Sequence, residues 1–201
     1  TFESRTAAMC GFNVAGPESR ALLARLPHTD LSTEAFPFMR SQRITVAGVD
    51  VVALRVSFTG DLGWELHCAT EDQVNLYEAL LEAGKEVGAG PVGSRALMSL
   101  RIEKGYGSWS REYSPEYWPQ EVGLDRLIKL EKDFLHKDNN LQVKDNAPRE
   151  VLSLIEVQEV TDADASGGEP IFLPDGTPIG RVTSGTYGYS VEKSLAMGYL
   201  K

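Results

Sequence analysis

Phe58-Thr59-Gly60-Asp61-Leu62-Gly63-Trp64-Glu65-Leu66-His67-Cys68 is a loop with two glycines that runs into an alternating apolar and polar segment. The alternation from Trp64 to Cys68 predicts a strand. Immediately upstream, Phe38 to Val46 and Val51 to Ser57 read as two strands joined through Ala47-Gly48-Val49-Asp50, a connection short enough for a hairpin. Trp64 to Cys68 therefore follows as the next strand of an antiparallel set. Further upstream, residues 8–14 are apolar and strand-like, Gly16-Pro17 punctuates, and Glu18 to Leu26 reads as a helix. Leu22, Leu23 and Leu26 share one helical face, Pro17 suits the first turn, and Pro27 stops the helix.

Downstream, Thr70 before Glu71, Asp72 and Gln73 reads as a helix N-cap with an acidic first turn. The helix runs to Ala83 with Val74, Tyr77, Leu80 and Leu81 turned inward, and Gly84 ends it. After the break at Gly90-Pro91-Val92-Gly93, Ser94 to Lys104 carries the helical set Ala96, Leu97, Leu100 and Ile102. The order strand, helix, three strands, two helices predicts an α+β fold: an antiparallel sheet with helices on one face.

The texture then changes. Tyr106, Trp109, Tyr113, Tyr117 and Trp118 crowd an irregular segment, and Glu131 to Asn146 reads as a solvated helix and linker. From Arg149 onward short strands alternate with turns at Gly167-Gly168 and Asp175-Gly176, an all-β pattern. Four strands are too few to close a barrel, so an incomplete barrel is expected. The composition shift places a domain boundary near 145, dividing the chain into 1–145 and 146–201. The first residue is Thr1, no signal peptide is evident, and the last residues are strand-like, so a piece of a larger protein is expected.

Composition excludes several functions. The 201 residues are 42% hydrophobic, enough for a sizeable core. With 29 acidic and 20 basic side chains the net charge is -9, which argues against gripping nucleic acid through its phosphates. No apolar run reaches the roughly 18–20 residues that cross a bilayer. Cys10 and Cys68 are too few for a disulfide scaffold and read as small buried side chains. His28, His67 and His136 are scattered, so no metal site is expected. There is no dinucleotide fingerprint and no serine in a nucleophile context, and no catalytic residue is identified.

Three features remain as candidates. In the 58–65 loop the glycines allow close backbone approach, and the Glu65 carboxylate could accept two N–H donors from an amino-bearing heterocycle. Equally, it could be a solvent-facing residue of a tight hairpin. Arg95 and Arg101 are six apart, about 240° around a helix, so one could face an acidic ligand while the other is structural. A solvated, salt-bridged face is the alternative. The aromatics of 106–118 could stack on a flat ring or simply pack as a connector.

Phe58 to Glu65, Ser99-Leu100-Arg101-Ile102-Glu103-Lys104-Gly105 and Gly180-Arg181-Val182-Thr183-Ser184-Gly185 together resemble the glycine-cleavage T-protein (aminomethyltransferase) family. Gly16-Pro17-Glu18-Ser19-Arg20 also matches that family's strand-to-helix turn. Lys104-Gly105-Tyr106, Trp109, Ser114-Pro115-Glu116-Tyr117 and Glu121-Val122-Gly123-Leu124 are most similar to the branch fused to FAD-dependent dimethylglycine and sarcosine dehydrogenases. Residues 185–196 resemble the family's final barrel domain.

The resemblance implies tetrahydrofolate binding and one-carbon transfer from a small amine substrate to folate. It also implies a cytoplasmic or mitochondrial matrix location, with no membrane and no nucleic acid as partners. Glu65 would hold the amino-pyrimidine edge of the pterin. Arg95 or Arg101 would lie near the folate, with Arg95 favoured, and Trp109 would line the cavity. Phe58 stands where the family usually has Tyr, which removes a hydroxyl. The family's first domain, with its catalytic Asp, has no match here, and FAD would be expected only with an upstream dehydrogenase module. The alternatives are a non-catalytic folate-binding or interaction module and a scaffold docked to a flavin dehydrogenase.

Overall fold

The structure, a computed structural model, describes residues 2–26, 30–160 and 162–201. Pro27 and His28 lie outside the described residues. Among the described residues the protein is of mixed helix and sheet, with two antiparallel four-stranded sheets and no closed barrel. The chain divides into two compact units, one ending at Leu97 and the other beginning at Met98. The composition change near 145 therefore lies within the second unit.

The first unit holds β1 (Met9–Ala15), α1 (Ser19–Ala24), β2 (Ser41–Val46), β3 (Val49–Leu54), β4 (Gly63–Ala69) and α2 (Gln73–Gly84). Its strands lie in the order β1-β4-β3-β2, so β4 is central and β1 is an edge. The β2–β3 hairpin turns on two residues, Ala47 at φ 51° and Gly48 at φ 81°. Positive φ at both positions gives the turn the twist that two antiparallel strands require. Trp64, Leu66 and Cys68 of β4 are buried, as the period-two pattern demands. With Val51 and Ala53 they form the floor on which Leu22, Leu23, Leu76 and Leu80 of the two helices pack. The helices thus cover one face, and the other face is left to Glu65 and His67.

Three local expectations are corrected here. Glu18 is the N-cap of α1, so Pro17 precedes the helix rather than sitting in its first turn. Thr70 starts a short 3-10 turn, Thr70–Asp72, and its hydroxyl donates to the Ala7 carbonyl at 3.2 Å instead of capping a helix. In α2 the buried residues are Leu76, Leu80 and Gly84, while Val74 and Tyr77 are exposed. Tyr77 stacks on Phe12, with ring centroids 6.0 Å apart.

α3 (Ser94–Glu103) crosses the division between the units. Its buried residues are Ser99, Arg101 and Ile102, not the apolar set Ala96, Leu97 and Leu100. The second unit continues through irregular chain and α4 (Lys137–Val143), which buries none of its residues, as expected of a solvated helix. β5 (Val151–Val157), β6 (Pro170–Phe172), β7 (Pro178–Gly188) and β8 (Lys193–Leu200) form the second sheet, in the order β5-β8-β7-β6. β7 is longer than the 179–183 strand expected and carries a bulge between Val182 and Ser184.

Candidate functional site

Glu65 is presented by the central strand of the first sheet. Its neighbours Trp64 and Leu66 have no exposed surface, so alternation sends the Glu65 side chain to the opposite, open face. Across the sheet it is in register with Asn13 on β1 and Leu54 on β3. Its carboxylate is 33% exposed, and Oε2 lies 3.4 Å from Nε2 of His67, two residues along the same face. The pair is long and open to water, so it contributes little to stability. Gly11 stands opposite His67, and a Cβ there would come within 3.0 Å of the imidazole Nδ1. That glycine gives the His67 ring its room.

The loop leading into β4 is pinned at both ends. Thr59 Oγ1 donates to Asp61 Oδ2 at 2.9 Å, and the Thr59 amide donates to Ser57 Oγ at 3.2 Å. Gly60, at φ 79°, takes the left-handed turn between them. The Leu62 carbonyl accepts from Ser19 Oγ and from the Gly16 amide, each at 2.9 Å. A Cβ on Gly63 would sit 2.9 Å from the Val14 carbonyl oxygen, so only glycine lets β4 start this close to β1. Phe58 occupies the turn before the loop and is half-buried.

Arg95, near the start of α3, is exposed and makes no hydrogen bond or ion pair among the described residues. Arg101 is the opposite case. It has no exposed surface, and Nη1 lies 3.0 Å from both the Tyr106 carbonyl and Glu112 Oε2 and 3.3 Å from Met197 Sδ. Nη2 donates to Ser184 Oγ at 2.9 Å. Trp109 is 73% exposed and lies in the second unit with Arg101. Of the expected site residues, Glu65, Phe58 and Arg95 belong to the first unit, and Arg101 and Trp109 to the second.

Sequence reasoning passed over Glu112, which anchors the buried cluster. Its carboxylate accepts from the Ser108 amide at 2.8 Å, Thr183 Oγ1 at 2.7 Å and Ser184 Oγ at 2.5 Å, besides Arg101. Thr183 and Ser184 are consecutive, and in a regular strand they would point to opposite faces. The β7 bulge lets both hydroxyls reach one carboxylate. Burial works to raise the Glu112 carboxyl, but the hydrogen bonds from Ser108, Ser184 and Thr183 and the Arg101 charge outweigh it and hold it below the ordinary range. Glu112 sits among aromatics in an irregular segment, where no periodic signal marks it. His67, one of three histidines that read as scattered in the sequence, was missed as well, although the alternation of β4 puts it on the same face as Glu65.

A second buried carboxylate, Glu121, closes the irregular segment. It accepts from the Trp118 amide at 2.8 Å, from the Arg149 amide at 3.1 Å and from the Arg149 guanidinium at 2.8 Å. The Arg149 hydrogen bonds lower its pKa to about 2 against the opposing effect of burial. Among the described residues, no group of three or more His, Cys, Asp or Glu side chains could hold a metal ion. No described helix is long and apolar enough to cross a membrane.

With this geometry in hand, comparison with known proteins is specific. Residues 1–132 match the GCVT N-terminal domain, and residues 152–201 match the glycine cleavage T-protein C-terminal barrel domain. Mitochondrial dimethylglycine dehydrogenase of Mus musculus is 40% identical over 189 residues, covering 93% of this chain and 22% of that protein. Mitochondrial sarcosine dehydrogenase of Mus musculus is 36% identical, covering 94% of this chain and 20% of its own. An aminomethyltransferase of Symbiobacterium thermophilum is 31% identical across 98% of this chain and 52% of its own. The crystal structure of glycine cleavage system aminomethyltransferase T from Bartonella henselae superposes with a TM-score of 0.81 at 26% identity, over 96% of this chain and 51% of that one. The chain thus spans about a fifth of the dehydrogenases and about half of the aminomethyltransferases.

Proposed function

From the premise that the chain belongs to the glycine cleavage T-protein family, we propose that it contributes the Glu65 face of a tetrahydrofolate site in an enzyme that moves a one-carbon unit from an amine to folate. The observation that carries this reading is Glu65 itself. It is a carboxylate on a rigid central strand, aimed away from the core, with His67 as its hydrogen-bond partner among the described side chains. Such a group can accept two N–H donors from an amino-pyrimidine edge, which fixes both the tilt and the plane of the ring. Tetrahydrofolate, when bound, supplies the nitrogen that receives the one-carbon unit.

Arg95, exposed and unpaired among the described residues, suits the acidic end of such a ligand; the enclosed Arg101 does not. Phe58 offers an apolar ring beside the loop and no hydroxyl. Trp109, exposed on the second unit, offers a stacking surface. Flavin would enter only through an upstream dehydrogenase module, as in the dimethylglycine and sarcosine dehydrogenase branch.

Titration of the full-length protein with tetrahydrofolate tests the reading. Glu65→Ala is expected to weaken binding by about 1–3 kcal/mol, the cost of leaving paired N–H donors without an acceptor. Unchanged affinity would count against it. A non-catalytic folate-binding module of the same fold is a second reading, favoured by the commitment of the buried charges Arg101, Glu112 and Glu121 to internal pairs. Transfer of a one-carbon unit from formaldehyde to tetrahydrofolate by this chain would eliminate it.

A further inference from the structure

Cys10 on β1 and Cys68 on β4 are direct cross-strand partners, and their Sγ atoms lie 3.3 Å apart. We propose that this pair is a reversible oxidation site, which a small-molecule disulfide such as oxidised glutathione converts into a cross-strand disulfide stapling the edge strand β1 to β4.

The geometry is suited to it. Directly opposed residues of an antiparallel pair have Cα atoms about 4.5–5.5 Å apart, inside the range that a disulfide bridges. Both side chains point to the core face, since Cys68 is buried in the first core and Cys10 packs against it. The thiols already touch, so bond formation needs each sulfur to shift by only about half an ångström toward a bond of about 2 Å. Neither sulfur is engaged elsewhere among the described residues.

The two thiols differ in access. Cys10 is half-buried, whereas Cys68 is 1% exposed. Burial, and then the hydrogen bond with Cys10, push the Cys68 thiol up to about 11. Cys10 therefore reacts first. Its thiolate attacks one sulfur of the oxidised glutathione, forming a mixed disulfide and expelling one glutathione thiolate, which takes up a proton. Cys68 then gives up its proton and attacks the Cys10 sulfur, expelling the second glutathione thiolate. In all, the protein loses two protons and two electrons, and one glutathione disulfide becomes two thiols. Among the described residues β1 has a single strand neighbour, β4, so the new bond secures an edge of the sheet. This site is independent of the folate reading, because the sulfurs lie on the face opposite Glu65.

The test exposes the native chain to oxidised glutathione, alkylates the remaining thiols under denaturing conditions, and maps unreduced peptides by mass spectrometry. The expected result is a peptide linked through Cys10 and Cys68, with alkylation of both falling about tenfold and restored by dithiothreitol. In Cys68→Ser the reaction is expected to stop at a single glutathione adduct on Cys10. Full alkylation of both cysteines after exposure, or a glutathione adduct persisting on Cys10 in the unsubstituted chain, would overturn the proposal.

Discussion

At Arg101 a guanidinium has been taken wholly out of water and given acceptors on three sides: Glu112, the Tyr106 carbonyl and Ser184. Removing one partner of such a pair leaves the other charge buried and uncompensated, which costs about 3–5 kcal/mol. Glu112→Ala is therefore expected to destabilise the second unit by about that amount in urea unfolding followed by amide exchange on β7 and β8. The double change Arg101→Met with Glu112→Leu should cost less than the two single changes combined, because neither charge is then left alone. Arg95→Ala, on an exposed side chain, should leave stability within about 0.5 kcal/mol. The six-residue spacing showed that the two arginines diverge. It carried no information on which one is enclosed, because the acceptors around Arg101 come from residues 106, 112 and 184 and not from its own helix.

At the scale of elements, α2 shows why an apolar stripe can be misassigned. Val74, Leu76, Tyr77, Leu80 and Leu81 surround much of the helix, so two stripes satisfy a period of 3.6. Val74, Tyr77 and Leu81 make one, and Leu76, Leu80 and Gly84 make the other. Packing chooses between them: Leu76 and Leu80 join the core with Leu22, Leu23 and the inward side chains of β3 and β4, and a Cβ on Gly84 would lie 3.0 Å from the Ala89 side chain and 3.4 Å from Leu22 of α1. Leu76→Ala should cost about 2–5 kcal/mol, as large-to-small changes at sealed positions do. Val74→Ala, at an exposed position, should cost no more than about 0.5 kcal/mol by the same denaturant titration. The strands were more legible. The 64–68 alternation is a local signal that the sheet confirmed, while the short connection read at 47–50 tightens to a two-residue turn at Ala47-Gly48, with Val49 and Asp50 already in β3. The β7 bulge had no such signal, since its purpose is to bring Thr183 and Ser184 together on Glu112.

For the whole molecule, acid is the discriminating variable. Glu112 and Glu121 both lie in the second unit, and both carboxyls are held below their ordinary value of 4.5 in the folded state. A depressed folded pKa contributes stability that is present above the unfolded value and lost as pH falls through the folded one. The second unit is therefore expected to lose stability from about pH 4.5 downward, with the Glu121 contribution gone near its pKa of about 2. Amide exchange of β5–β8 across that range measures it, and Glu121→Gln should flatten the dependence.

At this scale the sequence alone determined the α+β order of elements, the all-β pattern after residue 149 and the family. All of these rest on periodicities and motifs contained in short stretches of chain. Tertiary structure alone decided that Arg101 is an internal counter-ion, that Glu112 and Glu121 are buried, that α2 uses its Leu76 face, and that Cys10 meets Cys68. Each depends on groups far apart in the chain meeting in space. Burial and charge compensation are properties of that meeting, not of any residue or its neighbours along the backbone.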